Sequence, residues 1–168
     1  SIRTVVRNKD FRTWIGLFEK AIQLNPQSSY LKKDLGILHA RVGNSKLAEK
    51  YFLQALEIKP DDSYLLFSLS DAYTSSAQAQ KAIEVLHRTI EVQPEFPEAY
   101  FNLAGATAFL GDEEKAFMYL DKAVELWKIQ GKILEAGEAV EALYIFLAQK
   151  KGDLREKVVG EFLNSNVT

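Results

Sequence analysis

Proline stands at positions 26, 60 and 94, a spacing of 34 residues each time. Leu35, Leu69 and Leu103 keep that spacing, and so do Ala48, Ala82 and Ala116. Two longer series run Ala21, Ala55, Thr89, Ala123 and Ile22, Leu56, Ile90, Val124. Five series on one period make the chain an array of similar units, which limits its fold more than any composition figure does. Within a unit, apolar residues recur at steps of three and four, the spacing of one helical face. Phe52, Ala55 and Leu56 show it in one stretch, and Ile83, Leu86 and Ile90 in another. One helical hairpin cannot bury its apolar face alone, so the units must stack.

The punctuation fits helical hairpins. Gly43 and Gly111 sit mid-unit, where a helix-ending turn needs positive φ. Asn44-Ser45 and Asp112 then offer N-caps for the second helix. Pro60 and Pro94 stop that helix, and Asp61-Asp62 can cap the next. The middle unit has Ala77 where its neighbours have glycine, so a looser or shifted turn is expected there.

A 34-residue helix–turn–helix unit with small residues at fixed places resembles the tetratricopeptide repeat, or TPR. Residues 29–62 carry Leu35-Gly36, Ala48, Phe52, Ala55 and Pro60 of that pattern. Residues 63–96 carry Leu69, Tyr73, Ala82 and Pro94, and residues 97–130 carry Tyr100, Leu103, Gly111, Ala116, Leu120 and Ala123. The departures are Ser70 and Ala104 at the glycine position, His39 and Thr107 at the tyrosine position, and Lys128 for the proline. The resemblance implies an all-α fold: a right-handed superhelical α-solenoid of about nine helices, forming a single domain over residues 1–168.

Both ends depart from the period. Residues 1–28 read as a half-repeat, an N-terminal helix without its partner. Trp14, Ile15, Phe18, Ile22 and Leu24 make that helix too apolar for a free surface, so Trp14 and Phe18 are candidates for an N-terminal interface. Residues 131–168 read as a degenerate repeat with a C-terminal capping helix. A longer second helix or a short extra turn is expected across Trp127–Gly137. A helix then follows with Val140, Leu143, Tyr144 and Leu147 inward, starting near Glu138. After a turn at Gly152-Asp153, a last helix carries Leu154, Val158, Phe162 and Leu163 on one face, with Lys151, Arg155, Glu156 and Lys157 outward.

Few residues point to chemistry. There are no cysteines, which removes disulfides and thiolate chemistry, and there are two histidines 48 positions apart. His39, in the tyrosine place, reads as a packing residue, and His87 reads as solvated beside Arg88. Asp61-Asp62 and Asp112-Glu113-Glu114 sit at helix starts, where capping and the helix dipole account for them. No phosphate-cradling glycine loop or nucleophile elbow occurs. No enzyme activity, cofactor or metal is expected. The first 50 residues carry a net charge of +6 and the rest −8. The acidic total argues against a nucleic-acid binder, while the basic end could face lipid headgroups or an acidic partner. No apolar run reaches the ~18 residues of a membrane span, and the opening SIRTVVRNKD lacks a signal-peptide core. A soluble piece is expected, cytoplasmic or extracytoplasmic, and its start at Ser1 reads as a processed or excised segment.

The resemblance implies a concave groove lined by the first helix of each unit. Carried over, the family's contact positions are Tyr30, Lys33, Asp34, Ile37 and Arg41, then Tyr64, Phe67, Ser68 and Asp71, then Phe101, Asn102 and Phe109. Phe67 and Phe101 have two readings, groove contact or packing on neighbouring helices, because the family itself is aromatic there. The family's clamp for chaperone C-termini is not matched: Lys33 fits, but Ile37, Ser68, Glu98 and Asn102 do not. The expected function is a scaffold binding a peptide or partner domain in this aromatic groove. A second reading comes from Arg7-Asn8, Trp14, Leu17-Phe18 and Pro26, which resemble the junction before the TPR tail of multi-pass membrane glycosyltransferase-like proteins. There the membrane would be reached only through a tether outside this chain. A third is self-association through an uncovered end.

The register itself is testable. Replacing Ala82 by leucine should overpack the helix–helix contact and destabilise the protein by about 1–3 kcal/mol. An unchanged thermal midpoint in that variant would refute the register.

Overall fold

The computed structural model describes residues 2–150, with side chains for 11–147. Eight helices and no strands occupy the described residues: α1 Ile2–Leu24, α2 Ser29–Arg41, α3 Ser45–Leu56, α4 Ser63–Ser75, α5 Ala79–Val92, α6 Pro97–Leu110, α7 Glu113–Ile129 and α8 Ile133–Lys150. The count is eight where about nine were expected. The ninth helix and the Gly152-Asp153 turn fall outside the described residues. The chain divides into two compact units, Ser1–Pro94 and Glu95–Thr168.

In the first unit α2 pairs with α3 and α4 with α5, while α1 packs on α2 and α3 on α4. The pairing depends on small residues. A Cβ built on Gly36 would lie 2.7 Å from Cε1 of Phe52, so only glycine lets α2 approach the Phe52 ring this closely. Ala48, Ala55 and Ala82 are fully buried, and Leu35, Leu65, Leu66, Leu69 and Leu86 fill the space between them. In the second unit α6 pairs with α7, and α8 packs on both. Ala104 and Ala108 of α6 share one core with Ala116, Leu120, Ala123 and Trp127 of α7 and Ala136, Ala139, Leu143 and Leu147 of α8.

Three places where residues depart from the family's pattern are reconciled by hydroxyls. Ser70, Thr89 and Thr107 are buried, and each donates to a carbonyl of its own helix: Phe67 at 2.7 Å, Val85 at 2.9 Å and Leu103 at 2.7 Å. Each polar atom thus carries its own partner into the core. His39 is handled differently. It is buried and stacks on Tyr51 with ring centres 5.4 Å apart, and neither ring nitrogen has a partner among the described residues. Burial lowers its pKa, partly opposed by the Glu19 carboxylate, so it packs as a neutral ring.

The helix starts are capped as their residue types allow. Ser28, Asp62 and Asp112 accept from the backbone N–H groups of Leu31, Leu65 and Lys115. The hairpin turns share one geometry. Gly43, Gly111 and Gly131 have φ of 83°, 91° and 75°. In each turn the glycine N–H reaches back three residues and the next N–H five, as in Asn44 to His39 at 2.9 Å and Lys132 to Trp127 at 2.8 Å. Ala77 does not loosen its turn. It keeps both bonds, to Thr74 at 3.0 Å and from Gln78 to Tyr73 at 2.9 Å, by adopting φ 57° itself. The bonds and the packing of α4 on α5 hold an L-residue in the left-handed region. The irregularity near residue 130 resolves the same way: α7 runs for 17 residues, turns at Gly131, and α8 starts at Ile133 rather than near Glu138.

A polar tie joins α3, α4 and α5. Tyr73 is buried and donates its hydroxyl to Glu49 at 3.0 Å, with the Lys81 ammonium 3.7 Å from the same carboxylate oxygen and 5.2 Å from the Tyr73 ring centre. Burial and the hydrogen bond to Glu49 push the Tyr73 pKa from 10.0 up to about 12.

Two outcomes follow. Ala77→Gly should raise stability by roughly 0.5–1 kcal/mol in urea denaturation, because a left-handed L-residue costs about 1–2 kcal/mol, part of which glycine returns as unfolded-state entropy. Tyr73 releases its proton at lower pH in the unfolded chain than in the folded one. The stability linked to it is therefore complete below pH 10 and lost as pH rises towards about 12. Denaturation midpoints measured across that window should fall less steeply in Tyr73→Phe than in the unmodified protein.

Candidate interaction surface

On α2 the residues Tyr30, Lys33, Asp34, Ile37 and Arg41 follow steps of three and four, which places them along one side of the helix. Tyr64, Phe67, Ser68 and Asp71 do the same on α4. The two helices are in contact. Tyr30 and Tyr64 are 59% and 62% exposed, while Ile37 and Phe67 are half-buried between the more exposed positions.

Tyr30 has a cationic surround. The Lys59 ammonium donates to its hydroxyl at 3.0 Å and lies 4.2 Å from the ring centre, and Lys33 approaches the ring at 5.5 Å. The hydrogen bond to Tyr30 raises the Lys59 pKa and keeps the amine charged. Lys59 is absent from the positions the repeat pattern supplies. It comes from the α3–α4 connection, 29 residues after Tyr30, and no helical period predicts a loop that folds back. Ser68 donates to the Tyr64 carbonyl of its own helix at 2.8 Å. Arg41 sits over Phe11 of α1 at 5.8 Å, so its guanidinium is drawn to the N-terminal helix.

The second unit holds Phe101, Asn102 and Phe109 on α6. Phe101 is half-buried with its ring centre 5.8 Å from that of buried Trp127, tilted by 54°. Phe109 is 52% exposed at the helix's C-terminal end, beside equally exposed Leu110. On α1, Trp14 is 53% exposed and Phe18 is half-buried. Among the described residues no three His, Cys, Asp or Glu side chains cluster to hold a metal ion, and no helix is long and apolar enough to cross a membrane.

Tetratricopeptide-repeat profiles match residues 34–62 and 67–129, together more than half of the chain. The chain is a tetratricopeptide-repeat protein. Solved structures agree on the TPR fold. A crystal structure of MamA superposes with a TM-score of 0.67 at 18% identity, over 86% of this chain and 92% of that one. MamA 41-end from Desulfovibrio magneticus RS-1 gives 0.68 at 21% identity, over 75% and 71%. YrrB, described as a TPR protein with an unusual peptide-binding site, gives 0.67 at 23% identity, over 79% and 69%. No curated protein sequence matches. At these identities the likeness establishes the TPR fold and leaves the ligand to be argued from this chain's own residues.

Proposed function

We propose that this TPR protein is a non-enzymatic interaction scaffold that takes an extended peptide or partner segment along α2 and α4, with repeats at 29–62, 63–96 and 97–130 as its units. The carrying observation is the pair Tyr30 and Tyr64, large rings 59% and 62% exposed on two helices in contact. Aromatic rings supply rigid contact area at low entropic cost and are enriched where proteins meet. Ile37 and Phe67 give an apolar floor beside them, and Lys33 and Lys59 give the Tyr30 end a preference for acidic residues of the ligand. In the second unit, taken by itself, α6 carries Asn102 and exposed Phe109, with Phe101 against the Trp127 ring. YrrB supports the reading as a neighbour of the same fold described with a peptide-binding site. The two other readings, a membrane-linked tail and self-association, rest on α1.

The test is selection of a random displayed peptide library on the folded protein. Selected peptides should be enriched in acidic residues, and Tyr30→Ala with Tyr64→Ala should weaken them by at least about tenfold, the scale of one interface hot spot. Both rings are exposed, so the variant should keep its helix content and thermal midpoint. Peptides that bind the double variant undiminished would place the site elsewhere.

A further inference from the structure

Three helices of the first unit bring titratable side chains together at His39. This α2 residue is 4% exposed, and its ring lies parallel to that of Tyr51 on α3, with centres 5.4 Å apart and planes 2° apart. From α1 comes Glu19. Burial lowers the His39 pKa and the Glu19 carboxylate opposes that, while burial raises the Tyr51 pKa and the same carboxylate adds to it. The Lys50 ammonium of α3 lies 6.0 Å from the Tyr51 ring centre. The other helix in contact with α2 is α4, whose charged residue is Asp71. On α2 itself, Arg41 is drawn away to Phe11.

Neither ring nitrogen of His39 has a hydrogen-bond partner among the described residues. A neutral ring tolerates this at modest cost, since it packs against Tyr51 as an aromatic. An imidazolium does not, because it carries a charge and two N–H donors into a place that answers neither. Protonation therefore favours any opening that lets water reach the ring. The helices around it are not held equally. The α2–α3 hairpin has fully buried Leu35, Ala48 and Ala55, and the Gly36–Phe52 contact lies one helical turn from His39. Among the described residues α1 has no buried side chain, and its Phe11, Ile15, Phe18 and Ile22 are half-buried. A segment with so little buried apolar surface opens at lower free energy than its neighbours.

We infer that His39 is an acid-sensitive latch, whose protonation releases α1 from the α2–α3 hairpin while the hairpins of the unit stay folded. Because burial holds the His39 pKa below the ordinary 6.5, the stability linked to it is complete above pH 6.5 and is lost as pH falls below that value. Release also takes Phe11 away from Arg41, a side chain of the proposed ligand surface. The latch itself stands whether or not peptides bind there.

The experiment is hydrogen exchange read by mass spectrometry between pH 7 and pH 5, with rates corrected for the intrinsic pH dependence of exchange. Amides of residues 11–24 should lose protection as pH falls, by up to about tenfold per pH unit below 6.5, the limit for one linked proton. Amides of α3, α4 and α5 should keep theirs. His39→Phe, which keeps a ring against Tyr51 without a charge, should abolish the response. His39→Tyr, the residue of the repeat pattern at this place, serves should that variant lose its fold. Glu19→Gln should deepen the loss at pH 5, because its carboxylate partly offsets the buried charge. His87→Gln, at the other histidine, should leave the response unchanged. Equal protection of α1 at both pH values, a response that persists without His39, or one that vanishes in His87→Gln overturns the inference. So does a loss of protection shared equally by α1, α2 and α3, or a shallower loss in Glu19→Gln.

Discussion

The close approach of paired helices governs what else this protein can do. Phe52 lies against the backbone of Gly36, and fully buried alanines stand at positions 48, 82 and 116. Side chains this small let two helices come near enough for leucines on either side to interlock, and the dispersion and burial so gained hold each unit. The cost is intolerance: a methyl group at Gly36 already meets a ring that is itself buried. The outward positions of α2, α4 and α6 are relieved of packing duty and are free to carry exposed aromatics.

Several polar residues enter this core with a partner arranged. Ser70, Thr89 and Thr107 bond within their own helices, and Tyr73 brings Glu49 and Lys81 into one contact across three helices. His39 lacks such a partner and is held neutral by burial against Tyr51. Ala77 follows the same logic in the backbone. Two turn hydrogen bonds and the docking of α5 outweigh the strain of one left-handed residue, so the hairpin geometry survives loss of its glycine.

Two surfaces differ in what they offer. On α2 the exposed Tyr30 ring has Lys59 at 4.2 Å and Lys33 at 5.5 Å from its centre, which is the basis of the proposed preference for acidic groups. On α1 the large apolar side chains Trp14, Leu17 and Leu24 are exposed.

The 34-residue period, read from prolines, leucines and alanines, was enough to establish the helical hairpins and most of their turns, because those depend on neighbours within one or two helical turns. The helical sides of α2 and α4 were likewise legible as steps of three and four. Contacts made by loops and by unrelated positions were not. Lys59 meets Tyr30 because the α3–α4 connection folds back, Phe101 leans on Trp127 across a hairpin, and Ala77 keeps a glycine's turn because its surroundings compel it. The start of α8 at Ile133 escaped the period because Gly131 alone resets the register there. The sequence by itself determined which residues are helical and which small ones must meet. The tertiary structure alone decided which large side chains remain outside, because exposure is the remainder left after every packing contact has been made.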